Sequence, residues 1–313
     1  MYRWDFGFGK IWGASGVQGF FGEGYRHHDH LNLVGLGPKF VGMTFVAKTA
    51  TLPPNKGNMA LQGDFTPRDI KPDCIYVDWL RCDAVNAVGL SNPGIRALLD
   101  TDRWQKRKES FLLSYMPLQQ ATEDMMHETR QFVDILEKRL QDFRGHVGVQ
   151  INLSCPTTKH NLSKLLREAD EIFSICERLN APLFAKINAL VAVEAARELS
   201  QHSACNGICV SNTIPYGELP EWIPWGKIFG GRSPLKQYGG GGYSGRYLLP
   251  ITVDWIKRAR KCGVKTLING GGGILSVADA RKVFSAGADS ISLGSVTFFR
   301  PWRTQGIIDA ING

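Results

Sequence analysis

The chain has 313 residues, 43% hydrophobic and 21% charged, enough apolar side chain for a sizeable core and too much for a disordered or fibrous protein. Its net charge of +8 is a mild excess, and the basic runs, Lys106-Arg107-Lys108 and Lys257-Arg258 with Arg260-Lys261, are too short to define a nucleic-acid surface. Each run is expected on a solvated helix face. Glycine is the unusual count, 35 residues, about 11% against a typical value of about 7%.

No stretch approaches the roughly 20 apolar residues of a membrane helix. The start, Met1-Tyr2-Arg3-Trp4-Asp5, lacks the basic and apolar blocks of a secretory signal. Seven cysteines, an odd number with no Cys-x-x-Cys, suggest neither a disulfide framework nor an iron-sulfur or structural zinc site. Reduced thiols in a cytoplasm are the expectation.

In chain order, the first predicted strand runs from Lys10 to Ala14 and ends at Ser15. His27-His28-Asp29-His30 follows; with no evident fourth ligand it reads as a surface feature and not a metal site. The second strand, Phe40 to Lys48, leads into a long connection, Thr49 to Asn92. A third, Glu109 to Tyr115, precedes a helix marked by Met125, Phe132, Ile135, Leu136 and Leu140. The fourth, Val147 to Leu153, runs into Ser154-Cys155-Pro156, and Ile172, Ile175 and Leu179 mark the next helix. The fifth strand is Pro182 to Asn188 and the sixth Gly207 to Asn212, followed by a second long connection, Thr213 to Tyr247, rich in tryptophan. The seventh, Val264 to Asn269, meets Gly270 to Gly273 and a helix from near Ser276; the eighth is Ser290 to Gly294. Eight strand-then-helix units predict a single-domain α/β (β/α)8 barrel over 1–313, with both long connections at its C-terminal face, where barrel enzymes place their sites.

Polar residues end these strands regularly: Ser15, Lys48-Thr49, Asn152-Ser154-Cys155, Lys186, Asn212-Thr213, Gly270 to Gly273 and Gly294-Ser295. Turns are generally polar, but Lys48 and Lys186 sit at the ends of apolar runs, where a charge needs a buried partner or an anionic ligand. The glycine turns after the seventh and eighth strands offer bare N–H groups for a phosphate, on a substrate or on a cofactor such as a flavin mononucleotide. Cys155, turned toward the mouth by its polar neighbours and Pro156, has a thiol suited to proton transfer. The cysteines at 74, 176, 209 and 262 read as small buried hydrophobes.

The ordered set Ala14-Ser15-Gly16, Ala47-Lys48-Thr49, Gly57-Asn58, Asn86 to Leu90, Asn92-Pro93-Gly94, Asn152 to Pro156, Ala185-Lys186, Asn212-Thr213, Gly241 to Gly245, Gly271 to Ile274 and Gly287 to Gly294 resembles the dihydroorotate dehydrogenases. These are flavin mononucleotide (FMN) barrel enzymes of pyrimidine biosynthesis. The resemblance implies that Cys155 is the base, the class 1 choice. It implies that Lys48, Asn86 and the backbone of Val88, Gly89 and Leu90 hold the substrate carboxylate, while Asn152, Asn212 and Thr213 read the pyrimidine edge. It assigns the flavin to Ala14, Ser15, Gly16, Lys48, Thr49, Asn152, Lys186, Ser211, Ser244 and Gly245, and its phosphate to Gly271, Gly272, Gly294 and Ser295. The implied reaction oxidises dihydroorotate to orotate, Cys155 taking the C5 proton as the C6 hydride passes to flavin N5. A homodimer is also implied, and, for the NAD-linked form, an iron-sulfur flavoprotein partner; residues 88 to 94 are closer to that subclass than to the fumarate-using one.

Two departures concern substrate identity. Thr157 stands where the family usually has Asn after Cys-Pro, and the family Asn near the end of strand three is replaced by Ser114 or Tyr115. Alternatives are a dihydrouracil-type oxidoreductase, which the carboxylate motif Asn86 to Leu90 argues against, a Schiff-base barrel lyase using Lys186, which borohydride would trap, and a degenerate barrel acting only in assembly.

Overall fold

The computed structural model describes residues 6–153, 162–210 and 212–313. Ser154, Cys155, Thr157 and Ser211 lie outside them. Eight parallel strands form the central sheet: β1 (Ile11–Gly13), β2 (Phe45–Val46), β3 (Phe111–Tyr115), β4 (Val147–Asn152), β5 (Leu183–Ile187), β6 (Cys205–Val210), β7 (Leu267–Gly271) and β8 (Ser290–Leu293). Each strand pairs with its neighbours in sequence, and β1 also pairs with β8. The bridge between Trp12 and Thr44 closes β1 onto β2, so the sheet is the expected barrel.

Alternation along the strands sorts side chains between two cores. Trp12, Val46, Leu112, Phe184, Cys209 and Leu267 form one cluster with Phe8 inside the barrel, with Phe184 edge-on to Phe8 and Trp12. The alternate residues, such as Phe45, Leu113, Tyr115, Val149, Ile151 and Ile208, pack outward against helices. The helix Thr122–Leu140 presents Phe132 and Leu136 to this layer, and Phe132 stacks flat on Tyr115 at 3.7 Å. The open alternative at the end of strand three is thereby settled. Tyr115 faces the helices, and Ser114 is the inward residue.

The two long connections pair with each other. Ile75–Asp78, Asp83–Asn86, Gly242–Gly245 and Ile214–Pro215 make a four-stranded antiparallel sheet, in which Asp83–Asn86, from the loop after β2, pairs with Gly242–Gly245, from the loop after β6. A satellite core of Val85, Ile214, Ile223, Trp225, Tyr243 and Leu248 seats this sheet on the helix Leu248–Cys262. This explains the tryptophan-rich segment: Trp225 is buried, its indole N–H donating to Glu218 O at 3.0 Å, while Trp222 stays partly exposed. Tyr243 Oη donates to Oδ1 of fully buried Asp83, and Arg246 lies 3.7 Å from the other carboxylate oxygen.

Two surface expectations are corrected. Residues 106–108 lie in an irregular connection and not on a helix, and Arg107 lays its guanidinium over the Phe45 ring at 4.5 Å. The second basic run does lie on a helix, Leu248–Cys262, with Lys257, Arg258 and Lys261 exposed; only its Arg260 is half-buried, donating to Gly287 O, Val264 O and Thr266 O at 2.8–2.9 Å. His28 is also buried, with Nε2 3.1 Å from Thr297 O, and His27 stacks between Tyr25 and Phe298. Among the described residues no group of three metal-ligating side chains converges, and no described helix is long and apolar enough to cross a membrane.

Candidate active site

The mouth assembles from strand ends. After β1, the chain turns at Ala14, Ser15 and Gly16, with Gly16 at φ +87° against the Lys48 stem, and a Cβ on Gly294 would lie only 3.1 Å from Ala14 Cβ. Gly273 N–H donates to Ser295 Oγ at 3.3 Å, and a Cβ on Gly273 would fall 2.7 Å from Gly245 O. These close approaches join the ends of β1, β2, β7 and β8 to the Gly242–Gly245 strand, which carries Ser244 and Gly245. At Gly273 and Gly294 a side chain is thus excluded by the protein's own packing. Gly270 faces Val283 and Ile256, and Gly272, at φ +103°, faces Leu248. The N–H groups of Gly272, Gly294 and Ser295 have no acceptor among the described residues, leaving donors at the predicted phosphate position beside Gly271.

A second cluster lies around Lys48, whose ammonium donates to Ser91 O and sits 4.7 Å from the Phe20 ring centroid. Ser91 Oγ donates to Val88 O at 3.0 Å, and Asn58 N–H and Asn55 Nδ2 engage Val88 O and Gly89 O. The carbonyls of this turn are therefore committed inward. Its N–H groups at Val88, Gly89 and Leu90 donate to no described residue, with Gly89 and Leu90 at φ +66° and +57°. Successive bare N–H groups beside a lysine form a carboxylate-sized cradle. A cavity of about 620 Å³ opens beside it, lined by Tyr25, His27, Met59, Ile75, Val77 and Phe298 as well as Lys48 and Val88.

The third cluster is built from side-chain amides. Asn212 Nδ2 donates to Asn152 Oδ1 at 3.0 Å, and Asn212 Oδ1 accepts from Thr213 N–H at 3.0 Å. Asn86 Nδ2 reaches Gly242 O at 3.4 Å, where a Cβ on Gly242 would collide with Thr213 Oγ1. Asn152 stands in register with Lys186 on β5, and Leu153 N–H donates to Lys186 O at 2.9 Å as the chain leaves toward Cys155.

The two lysines meet no carboxylate within ion-pairing distance among the described residues. Burial lowers Lys48 from 10.5 to about 7, with nearby Cys74 a smaller opposing influence. Burial lowers Lys186 to about 8, and the Cys209 thiol, in register with it, is pushed up to about 12. Buried cations without protein counter-ions are costly unless a ligand supplies the negative charge. The arrangement suits a ligand with an anionic centre at each lysine.

Three supports have roles that the sequence did not assign, although Asn92 and Ser114 were both named in it. Asn92 is buried and pins the 88–94 turn, its amide donating to Thr51 Oγ1 and Leu90 O and accepting from Gly94 N–H. Asp83 with Tyr243 ties the two long connections together. Ser114 bonds to Thr49. Asn92, inside Asn92-Pro93-Gly94, carried a readable signal, because an Asx side chain before Pro-Gly commonly caps its own turn, and Ser114 stood out as a departure; Asp83 carried none.

The sequence model of the family described as Dihydroorotate dehydrogenase matches residues 13–313. The chain is 28% identical over 303 residues to the dihydroorotate dehydrogenase B (NAD(+)) catalytic subunit of Endomicrobium trichonymphae, covering 94% of this chain and 85% of that one. It is 27% identical over 292 residues to the dihydroorotate dehydrogenase A (fumarate) of Lacticaseibacillus paracasei, covering 92% and 87%. The crystal structure of DHODH from Eimeria tenella in complex with ferulenol superposes with a TM-score of 0.67 at 18% identity, over 96% of this chain and 80% of that chain, a likeness of fold. With nearly the whole length matched, the chain belongs to the dihydroorotate dehydrogenase family.

Proposed function

We propose that this protein oxidises dihydroorotate to orotate with FMN as its cofactor, in pyrimidine biosynthesis. The observation that carries the reading is the pair of half-buried lysines with no carboxylate partner among the described residues, one beside the N–H groups of Val88, Gly89 and Leu90, which donate to no described residue. Lys48 and those N–H groups would hold the substrate carboxylate, with Asn86 at its edge. Asn152, Asn212 and Thr213 offer both donors and acceptors to an imide ring. Gly271, Gly272, Gly294 and Ser295 would hold the cofactor phosphate, and Ala14, Ser15, Gly16, Thr49, Ser211, Ser244 and Gly245 its ring and ribityl chain. A bound flavin supplies the two-electron acceptor that the oxidation requires. Lys186 would place positive charge against the electron-rich reduced ring. Cys155, as thiolate, takes the proton from C5 of the substrate.

The test is Cys155→Ala. The variant is expected to purify yellow and to lose nearly all turnover with dihydroorotate, whereas undiminished turnover would exclude Cys155 as the base. Cys155→Ser should keep some activity, rising at high pH because a hydroxyl is much the weaker acid. The carboxylate cradle also predicts that dihydrouracil, which lacks the carboxylate, bleaches the flavin poorly. We further propose that the protein is a homodimer whose electrons leave through an iron-sulfur flavoprotein subunit. Reoxidation assays with fumarate, NAD and quinone, with and without such a subunit, decide the acceptor.

A further inference from the structure

Three hydroxyls cross the ends of three adjacent strands. Ser15 Oγ lies 2.8 Å from Ala47 O and 3.1 Å from Thr49 Oγ1, and Thr49 Oγ1 lies 2.9 Å from Ser114 Oγ. Ser114 and Thr49 are buried, and Ser15 is half-buried. A hydroxyl has one proton to donate, and a carbonyl oxygen can only accept. Ser15 must therefore spend its proton on Ala47 O. Its contact with Thr49 can then form only with Thr49 as donor. That uses the Thr49 proton, so Ser114 must donate to Thr49. The direction of the whole chain, Ser114 to Thr49 to Ser15 to Ala47 O, follows from its carbonyl end.

We propose that Ser15 is a positioning residue that, through this one-way chain, makes the Thr49 and Ser114 hydroxyls obligate acceptors toward the ring bound in the barrel mouth. All three protons are consumed within the protein, and only oxygen lone pairs remain for a ligand. The ring edge received there must carry N–H donors; a carbonyl edge would face lone pair against lone pair. A site with fixed polarity rejects the mismatched partner strongly, because buried polar groups are left unpaired. Ser114 thereby differs in kind from an asparagine at this position, whose amide could offer either a donor or an acceptor.

This inference rests on the reading of the mouth as an FMN site, and the experiment separates the two. FMN affinity is measured by flavin fluorescence, and thermal melting is followed on the FMN-free chain, for wild type, Ser15→Ala, Ser15→Thr, Ser114→Ala, Thr49→Val and the Ser15→Ala/Thr49→Val double variant. Ser15→Ala frees the Thr49 proton and should weaken FMN binding about tenfold or more, while Ser15→Thr restores it to within about threefold. Ser114→Ala leaves the Thr49-to-Ser15 direction intact but removes one acceptor, and should weaken FMN binding by less than Ser15→Ala does. Once Thr49 is valine, removing the Ser15 hydroxyl should add nothing. A merely structural role would rank the variants by burial, Ser114→Ala above Ser15→Ala, in both affinity and melting temperature. That ranking, or additive effects in the double variant, overturns the proposal. Wild-type protein that binds no FMN overturns the cofactor reading itself, a result distinct from equal affinities among the variants.

Discussion

The floor and the mouth of the barrel are built from the same strands and obey opposite rules. At the floor, Phe8, Trp12, Leu112, Phe184 and Leu267 fill the interior with apolar contacts that satisfy one another. A few residues further along β4 and β5 come Asn152 and Lys186, and the same mouth holds Lys48 and backbone N–H groups that, among the described residues, meet no carboxylate and no acceptor. The floor is complete as a protein. The mouth is complete only with a ligand, and the lysines destabilise the ligand-free chain.

Substitutions can break that contrast from either side. The largest stability loss is expected at the floor: Phe184→Ala should cost about 3–5 kcal/mol, read from the denaturant midpoint, because a fully buried ring leaves a cavity. At the mouth the sign should invert. Lys48→Met should leave the melting temperature of the ligand-free chain unchanged or raised, while kcat/KM for dihydroorotate falls by roughly 2–4 kcal/mol, or about 30- to 1,000-fold. A melting loss as large as at the floor would show that Lys48 is structural. Between the two regions, Tyr243→Phe strips buried Asp83 of its hydroxyl donor and should cost about 1–3 kcal/mol.

Proton linkage sharpens the contrast further. Lys48 and Lys186 titrate at about 7 and about 8 in the folded chain against 10.5 when unfolded. Between those values and 10.5 the unfolded chain holds more protons, so stability of the ligand-free protein contributed by these groups should rise with pH across that window. Their penalty is fully present below pH 7. Thermal melts of wild type and Lys186→Met across the window check this, the variant showing the shallower rise. Trp222→Ser, at an exposed turn position outside the satellite core, should change stability by no more than about 0.5 kcal/mol and bounds the scale from below.

The site was legible to different depths in different places. Lys48 and Lys186 stood out because charge at the end of an apolar run is anomalous, and the structure places both at the mouth without carboxylate partners among the described residues. The helix Thr122–Leu140 was visible in its apolar spacing, and its Phe132 and Leu136 are buried as that spacing demands. The predicted second strand, Phe40 to Lys48, shrank to Phe45–Val46, since Thr44 and Ala50 make only single bridges to β1 and β3. His28 and Arg107 looked like surface residues because imidazole and guanidinium are polar. Both are held by backbone carbonyls and rings from distant segments, which no local window contains.

From the sequence alone came the alternation of eight strands with helices, the barrel class and the residues at the strand ends, because periodicity and punctuation are local properties. Tertiary structure decided the rest: that the two long connections join in one antiparallel sheet, that Ser114 and not Tyr115 faces inward, and that the hydroxyl chain runs one way to Ala47 O. Each depends on which atoms meet across tens or hundreds of residues. A hydrogen bond's direction is set by its partner, and packing alone chooses the partner.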